Sequence, residues 1–358
     1  MVGDSMELKI LKKKKYIAPK HKKTVKDIFF TILFPIIGIL FLVSGSLSSG
    51  SAIIGDSIIV NNLLITMITV LIACFALNTN MNSGRMDFSL GAVGILAAVL
   101  AWNTLPNKTM QNFALLYLLL CVIYGIVLGL ISGLIFVFLK IPAIVVSLGV
   151  CLIYEGFAYV ITNGKGSVDI PGSIAPDLYP MITNPWFMVI IVLGICIFML
   201  ITLRNSKFGH DKLSILYGQK VAVDTGVNEI KNALICYALA GALIAVYTYI
   251  FSINQSKITV STNLGTAMAV MQNFLPIFLG GLIAKHSNEV VGLVLGVFSV
   301  TLFKEGLARF GVDISTISLI VSFLIFAVLT YMVNWTRWTT AIKNKIKNYK
   351  IAKYEKEK

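Results

Sequence analysis

Apolar runs near twenty residues long recur along most of the chain, separated by short polar breaks. They cover Ile28–Leu47, Ile58–Leu77, Ser89–Trp102, Phe113–Leu139, Ile144–Ile161, Trp186–Leu203, Ala233–Ile253, Gly265–Ala284, Val290–Phe303 and Ile314–Trp335. A run of about 20 apolar residues spans a bilayer as a helix, so the pattern predicts an all-α polytopic membrane protein of about ten spans. Barrel strands would instead be alternating runs of about ten residues. Composition agrees: 57% of residues are hydrophobic and 13% charged, against about a quarter charged in a soluble domain.

One break stands out. Asn78–Gly94 reads NTNMNSGRMDFSLGAVG and separates a full-length run from one too short to cross alone. Freed backbone groups are costly in lipid, and chains keep such breaks where backbone lines a cavity or a transport path. Asn78, Asn82, Gly84, Asp87, Ser89 and Gly91 are therefore candidate pathway or half-helix residues. The local alternative is that Asp87 caps a helix opening at Phe88 and that the asparagines cap and turn. A similar pairing recurs later: Gly265–Ala284 is followed by the polar stretch KHSNEVVG and a short apolar run. Paired, interrupted segments in two halves point toward a substrate path.

The net charge of +14 is mostly a topology signal. With both termini cytoplasmic and ten spans threaded, only Lys108, Lys165, Lys257, Lys304 and Arg309 fall outside, so 30 − 5 = 25 of the Lys and Arg lie inside. Nucleic acid is not the expected partner, because the basic tails (1–27 and 336–358) flank spans. The C-terminal tail is expected either to lie on the anionic inner leaflet or to be solvated and disordered. Residues 28–335 form the expected membrane domain. Thr162–Pro185, with four prolines and three glycines, is expected to be an external loop. Arg204–Asn232 is the longest cytoplasmic stretch, with helical segments punctuated by Gly209, Gly218 and Gly226, and it suits docking onto a cytoplasmic partner.

Chemistry is sparse. There is no GxxxxGK[ST], HExxH or GxSxG. His21, His210 and His286 form no metal pattern, and Cys74, Cys121, Cys151, Cys196 and Cys236 each sit in an apolar run, as small core residues do. No metal ligand set and no catalytic constellation is expected. Glu155 is the clearest acid within a span, costing about 2.5–3.5 kcal/mol at mid-bilayer, so it should face a wet cavity or a structural partner. Gln272 and Asn273, before Pro276, mark either a satisfied kink or the pathway. Proton-coupled carriers usually hold several acids or histidines within their spans, and this chain holds few.

The residues Gly84, Met86, Asp87, Phe88, Ser89, Leu90 and Gly91 in GRMDFSLG resemble the hallmark of ribose/xylose-type permeases of ABC importers. The stretch with Gly218, Ala222, Gly226, Val227, Asn228 and Lys231 is similar to that family's cytoplasmic coupling loop. Together the motifs extend the resemblance over roughly Ile58 to Trp335. Lys220 stands where the family usually carries an acid. The resemblance implies a type II-like importer permease fold in a bacterial plasma membrane. It implies that Gly218, Gln219, Lys220, Val221, Ala222, Asp224 and Gly226 meet a separate ATP-binding cassette ATPase. It further implies a second permease subunit and an external solute-binding protein. ATP and Mg would sit on the ATPase, so no cofactor is expected here. The expected solute is a monosaccharide. A nucleoside, a signalling furanone or an amino acid is the alternative within the same architecture, and an ATP-independent carrier the rival outside it.

Overall fold

The computed structural model describes residues 25–50, 57–105, 113–170 and 185–356. The N-terminal basic segment through residue 24 and most of the proline-rich loop (171–184) lie outside these. In chain order the helices are α1 (Val25–Ser49), α2 (Ser57–Met81), α3 (Leu90–Thr104), α4 (Phe113–Leu139), α5 (Ala143–Ile161), α6 (Pro185–Leu200), α7 (Lys207–Asp224), α8 (Glu229–Asn254), α9 (Gly265–Met271), α10 (Phe274–Ala284), α11 (Glu289–Arg309) and α12 (Ile314–Lys356). Each of the ten apolar runs carries a helix. Among the described residues, eight spans, counting α9 and α10 as one, are long and apolar enough to cross a membrane; α3 is shorter, and α6 joins α7 across a bend of 66°.

Helices α2, α3 and α8 form the centre. Ile72 through Leu77 and Leu96 through Val99 are almost wholly buried there. Helix α4 shows how sequence chooses its faces. Tyr117, Cys121, Leu128 and Ser132 are buried, whereas Leu119, Ile123, Val127, Ile131 and Phe138 are exposed. Both stripes keep helical spacing, one toward the bundle and one toward lipid. Helices pack in lipid through close backbone approach at small residues. Gly125 of α4 and Gly241 of α8 meet in this way: a Cβ added at either would run into the other's carbonyl oxygen.

Two short strands join the ends of α5 and α8. Ser167–Asp169 (β1) pairs antiparallel with Lys257–Thr259 (β2), Val168 opposite Ile258. This strand pair, whose strands are distant in sequence, marks one end of the bundle, and α7 marks the other.

Four expectations change. The second "short" run is a 21-residue helix, α11, because Glu289, Lys304 and Glu305 fall within it. The interruption in that half instead lies inside the preceding span, between α9 and α10. The polar break after α2 is shorter than the sequence suggested, since Asn78 and Asn80 are helical. Helix α12 runs unbroken through Lys356, so the described tail continues the last span as helix.

Candidate transport seam and its polar clusters

The break between α2 and α3 is built by its own residues. Gly84 (φ +78°) ends α2. The Gly84 N–H donates to Met81 O at 3.0 Å and the Arg85 N–H to Asn80 O at 3.1 Å, the paired closure of a glycine-terminated helix. Asp87 then opens α3. Its Oδ1 accepts from the Ser89 N–H (2.9 Å) and hydroxyl (2.6 Å), and its Oδ2 from Asn80 Nδ2 (2.9 Å). The helix begins at Leu90, with Ser89 in the capping position, two residues later than expected. One turn on, Gly91 lies so close to Thr266 O and Val270 of α9 that no Cβ fits. Asp87 and Ser89 thus have a local structural duty, and Gly91 has a packing one.

One face of α2 carries two cavities. Toward the strand-pair end, Ile59, Asn62, Thr66 and Val70 line a cavity of about 470 Å³ with Gln272, Pro276 and Lys304. Toward the α7 end, Asn78, Met81 and Asn82 line one of about 490 Å³ with Ile277, Gly281 and Glu289. These α2 positions recur at three- and four-residue steps, so they share a stripe. Between the cavities the same stripe carries Cys74 and Leu77, buried to 0% and 1% exposure, and the Cys74 thiol donates to Asn273 O at 3.7 Å. The seam is open at both ends and closed across about two helical turns. Gln272 and Asn273 sit at the break in the facing span. Gln272 lines the 470 Å³ cavity, whereas Asn273 and Gly91 border a separate 280 Å³ pocket against α3 and α8.

Glu155 lines none of these spaces. It is 2% exposed, and its carboxylate caps α9 by accepting from the N–H groups of Leu264 (2.9 Å) and Thr266 (2.8 Å) and from the Thr266 hydroxyl (2.6 Å). An anion at a helix start satisfies donors that have no partner within the helix.

At the other end, α7 consists of two helical stretches that meet at a kink, where Gly218 leaves helical backbone angles (φ 179°, ψ 84°). Gly209 does not punctuate it; it packs against Leu203 O. Gly226 (φ +92°) ends it, with the Val227 N–H donating to Ala222 O, and Asn228 Oδ1 starts α8 by accepting the Lys231 N–H at 2.9 Å. Of the docking candidates, Ala222 is buried. Gln219, Lys220, Val221, Asp224 and Gly226 are exposed, and Gly218 is intermediate. Apolar Tyr217 and Val221 also point outward, at 85% and 68% exposure.

Sequence reasoning missed the long-range partners of this end. Glu289 Oε1 accepts from Asn78 Nδ2 (2.7 Å) and Asn82 Nδ2 (2.6 Å), and buried Lys212 approaches the same oxygen at 3.4 Å. Gln219 Nε2 donates to Glu229 Oε1 at 2.6 Å, and Arg85 lies 3.7 Å from that oxygen. The available signal was an acid at the first turn of each following helix, Glu289 and Glu229. Among the described residues no group of acids, histidines and cysteines could hold a metal.

The family described as "Branched-chain amino acid transport system / permease component" matches residues 59–342. The chain belongs to this permease family. That stretch contains the whole seam, the α2–α3 break, α7 and the caps around Gly226 and Asn228. Curated relatives are similar at lower identity. The autoinducer 2 import system permease protein LsrC of Photorhabdus laumondii is 26% identical over 278 residues, 76% of this chain and 79% of the relative. The protein of the same name from Escherichia coli O9:H4 (strain HS) is 25% identical over 275 residues, 75% and 77% respectively. No solved structure matches. Family membership and the apolar helices make this permease a multi-pass membrane transport component, of the superfamily that includes monosaccharide-type ABC importer permeases.

Proposed function

We propose that this permease is the membrane subunit of an ATP-driven importer for a small polar solute, with α7 facing the cytoplasm. The observation that carries the reading is the pair of cavities on one face of α2, closed from each other at Cys74 and Leu77. A carrier must open to one side at a time, and two such chambers are the static form of that requirement. In this reading the energy source is a separate ATPase, for which exposed Tyr217 and Val221 on α7 give an apolar footing. Gly218–Gly226 is the docking element in this account. A second permease subunit and an external binding protein complete the assembly, and both termini are cytoplasmic.

The solute reading rests on chemistry and kinship together. Asn62, Thr66, Gln272 and Lys304 supply hydrogen-bonding groups suited to a hydroxylated solute. A monosaccharide fits this. The LsrC relatives favour a furanone-type signalling molecule of similar size and polarity, and that is the second reading. Reconstitution in liposomes with the ATPase and binding protein tests the assignment. Labelled ribose and autoinducer 2 should compete for entry, with uptake requiring ATP. Accumulation against a gradient by this chain without an ATPase would refute it.

A further inference from the structure

We propose that Glu289 is a latch that keeps the α7-side cavity from opening further, and that Lys212 is the positioning residue through which α7 releases it. The proposal deepens the importer reading and rests on it for the cytoplasmic place of α7.

Three donors converge on one oxygen. Asn78 and Asn82 reach Glu289 Oε1 from α2, one turn apart, and Lys212 reaches it from α7. A carboxylate oxygen has two lone pairs, so three donors compete. The two amides hold the short bonds, and the ammonium stands off at 3.4 Å. Lys212 is 0% exposed, and Glu289 is the acid it pairs with. A buried charge is strongly tied to its partner, because separation would leave the Lys212 ammonium buried without a counter-charge. Movement of α7 must therefore carry Glu289 with it. The asparagines are neutral and lose less on parting, so they are the bonds that break. Asn78, Asn82 and Glu289 all border the α7-side cavity, and their separation moves α2 away from the start of α11. A local displacement of α7 thereby biases a two-position contact at the mouth of the seam.

A second tie runs in parallel. Gln219 holds Glu229, and Glu229 faces Arg85 in the α2–α3 break. Arg85 is 3% exposed, and its two terminal nitrogens make no hydrogen bond. It faces Glu229 of α8 by charge, whereas the Glu289 contact ties α2 to α11 through hydrogen bonds.

Gly281 provides the reporter. It borders the same cavity, and a Cβ there meets nothing within 4 Å. Gly281→Cys is introduced into the importer, and its labelling by a membrane-impermeant maleimide is timed in inside-out vesicles without ATP. Glu289→Gln and Lys212→Met should each speed labelling several-fold and lower the uptake obtained per ATP hydrolysed. The exchange Lys212→Glu with Glu289→Lys should return both toward the parent, because the amides can turn to offer their oxygens to a lysine. Single variants that label as slowly as the parent would overturn the latch and leave the importer reading standing. An exchange variant as fast as the singles would overturn it too, since the singles would then report loosened packing. Accumulation without an ATPase in the parent would instead overturn the importer reading.

Discussion

Glu155 and Thr266 are joined twice: one carboxylate oxygen accepts both the amide and the hydroxyl of Thr266, across 111 residues of sequence. The other oxygen accepts the Leu264 N–H. One acid on α5 thus fixes the start of α9. Asn263 and Leu264 both adopt positive φ on the approach, a conformation that surrounding contacts must hold in place. Glu155→Ala would leave two backbone donors without an acceptor, at about 1–3 kcal/mol each. The expected outcome is a lower melting temperature in detergent, with Glu155→Gln intermediate because its carbonyl can still accept one of them.

Asp87 should behave as a structural residue. It is 3% exposed and bonded to both Asn80 and Ser89. Asp87→Ala is expected to cost about 1–3 kcal/mol and to lower folded yield in fluorescence-detected gel filtration. Asp87→Asn, which keeps an acceptor for Ser89, should lose less. An Asp87→Ala protein with full yield and no uptake would instead make Asp87 a pathway residue.

Docking and packing can be separated on α7. Tyr217 is 85% exposed and Ala222 is 3% exposed. Tyr217→Ala should weaken co-purification of the ATPase with little change in melting temperature. Ala222→Trp should do the reverse first, lowering melting temperature by overpacking, at about 1–3 kcal/mol.

Asp313 gives a pH prediction. It precedes α12 and is exposed. Hydrogen bonds from the Thr316 N–H (3.0 Å) and hydroxyl (2.6 Å) hold its carboxyl below the usual carboxylate range. A lowered folded-state pKa stabilises above the unfolded-state pKa, and that contribution fades as pH falls through the folded-state value. The melting-temperature gap between the parent and Asp313→Ala should be present at neutral pH and close on acidification. A gap independent of pH would reject the charged cap.

The motifs that carried the family resemblance were legible because their work is local. Gly84 and Gly226 end helices, and Asp87, Ser89 and Asn228 begin them, all with partners within a few residues. Their clustering at breaks reflects these local roles. Asn78 and Asn82 did reach the seam, but through Glu289, which no spacing in the sequence singles out.

The sequence alone determined the number of apolar runs, their helical form and local helix caps such as that at Asn228. Each depends on hydropathy over one span or on hydrogen bonds within one turn. The tertiary structure decided which polar groups meet. Glu155 with Thr266, Asn82 with Glu289 and Lys212 with Glu289 are 111, 207 and 77 residues apart. In lipid every apolar helix face is nearly equivalent, so hydropathy does not say which helices are neighbours. That is fixed by close glycine contacts such as Gly125 with Gly241, and by the need of each buried charge for a partner.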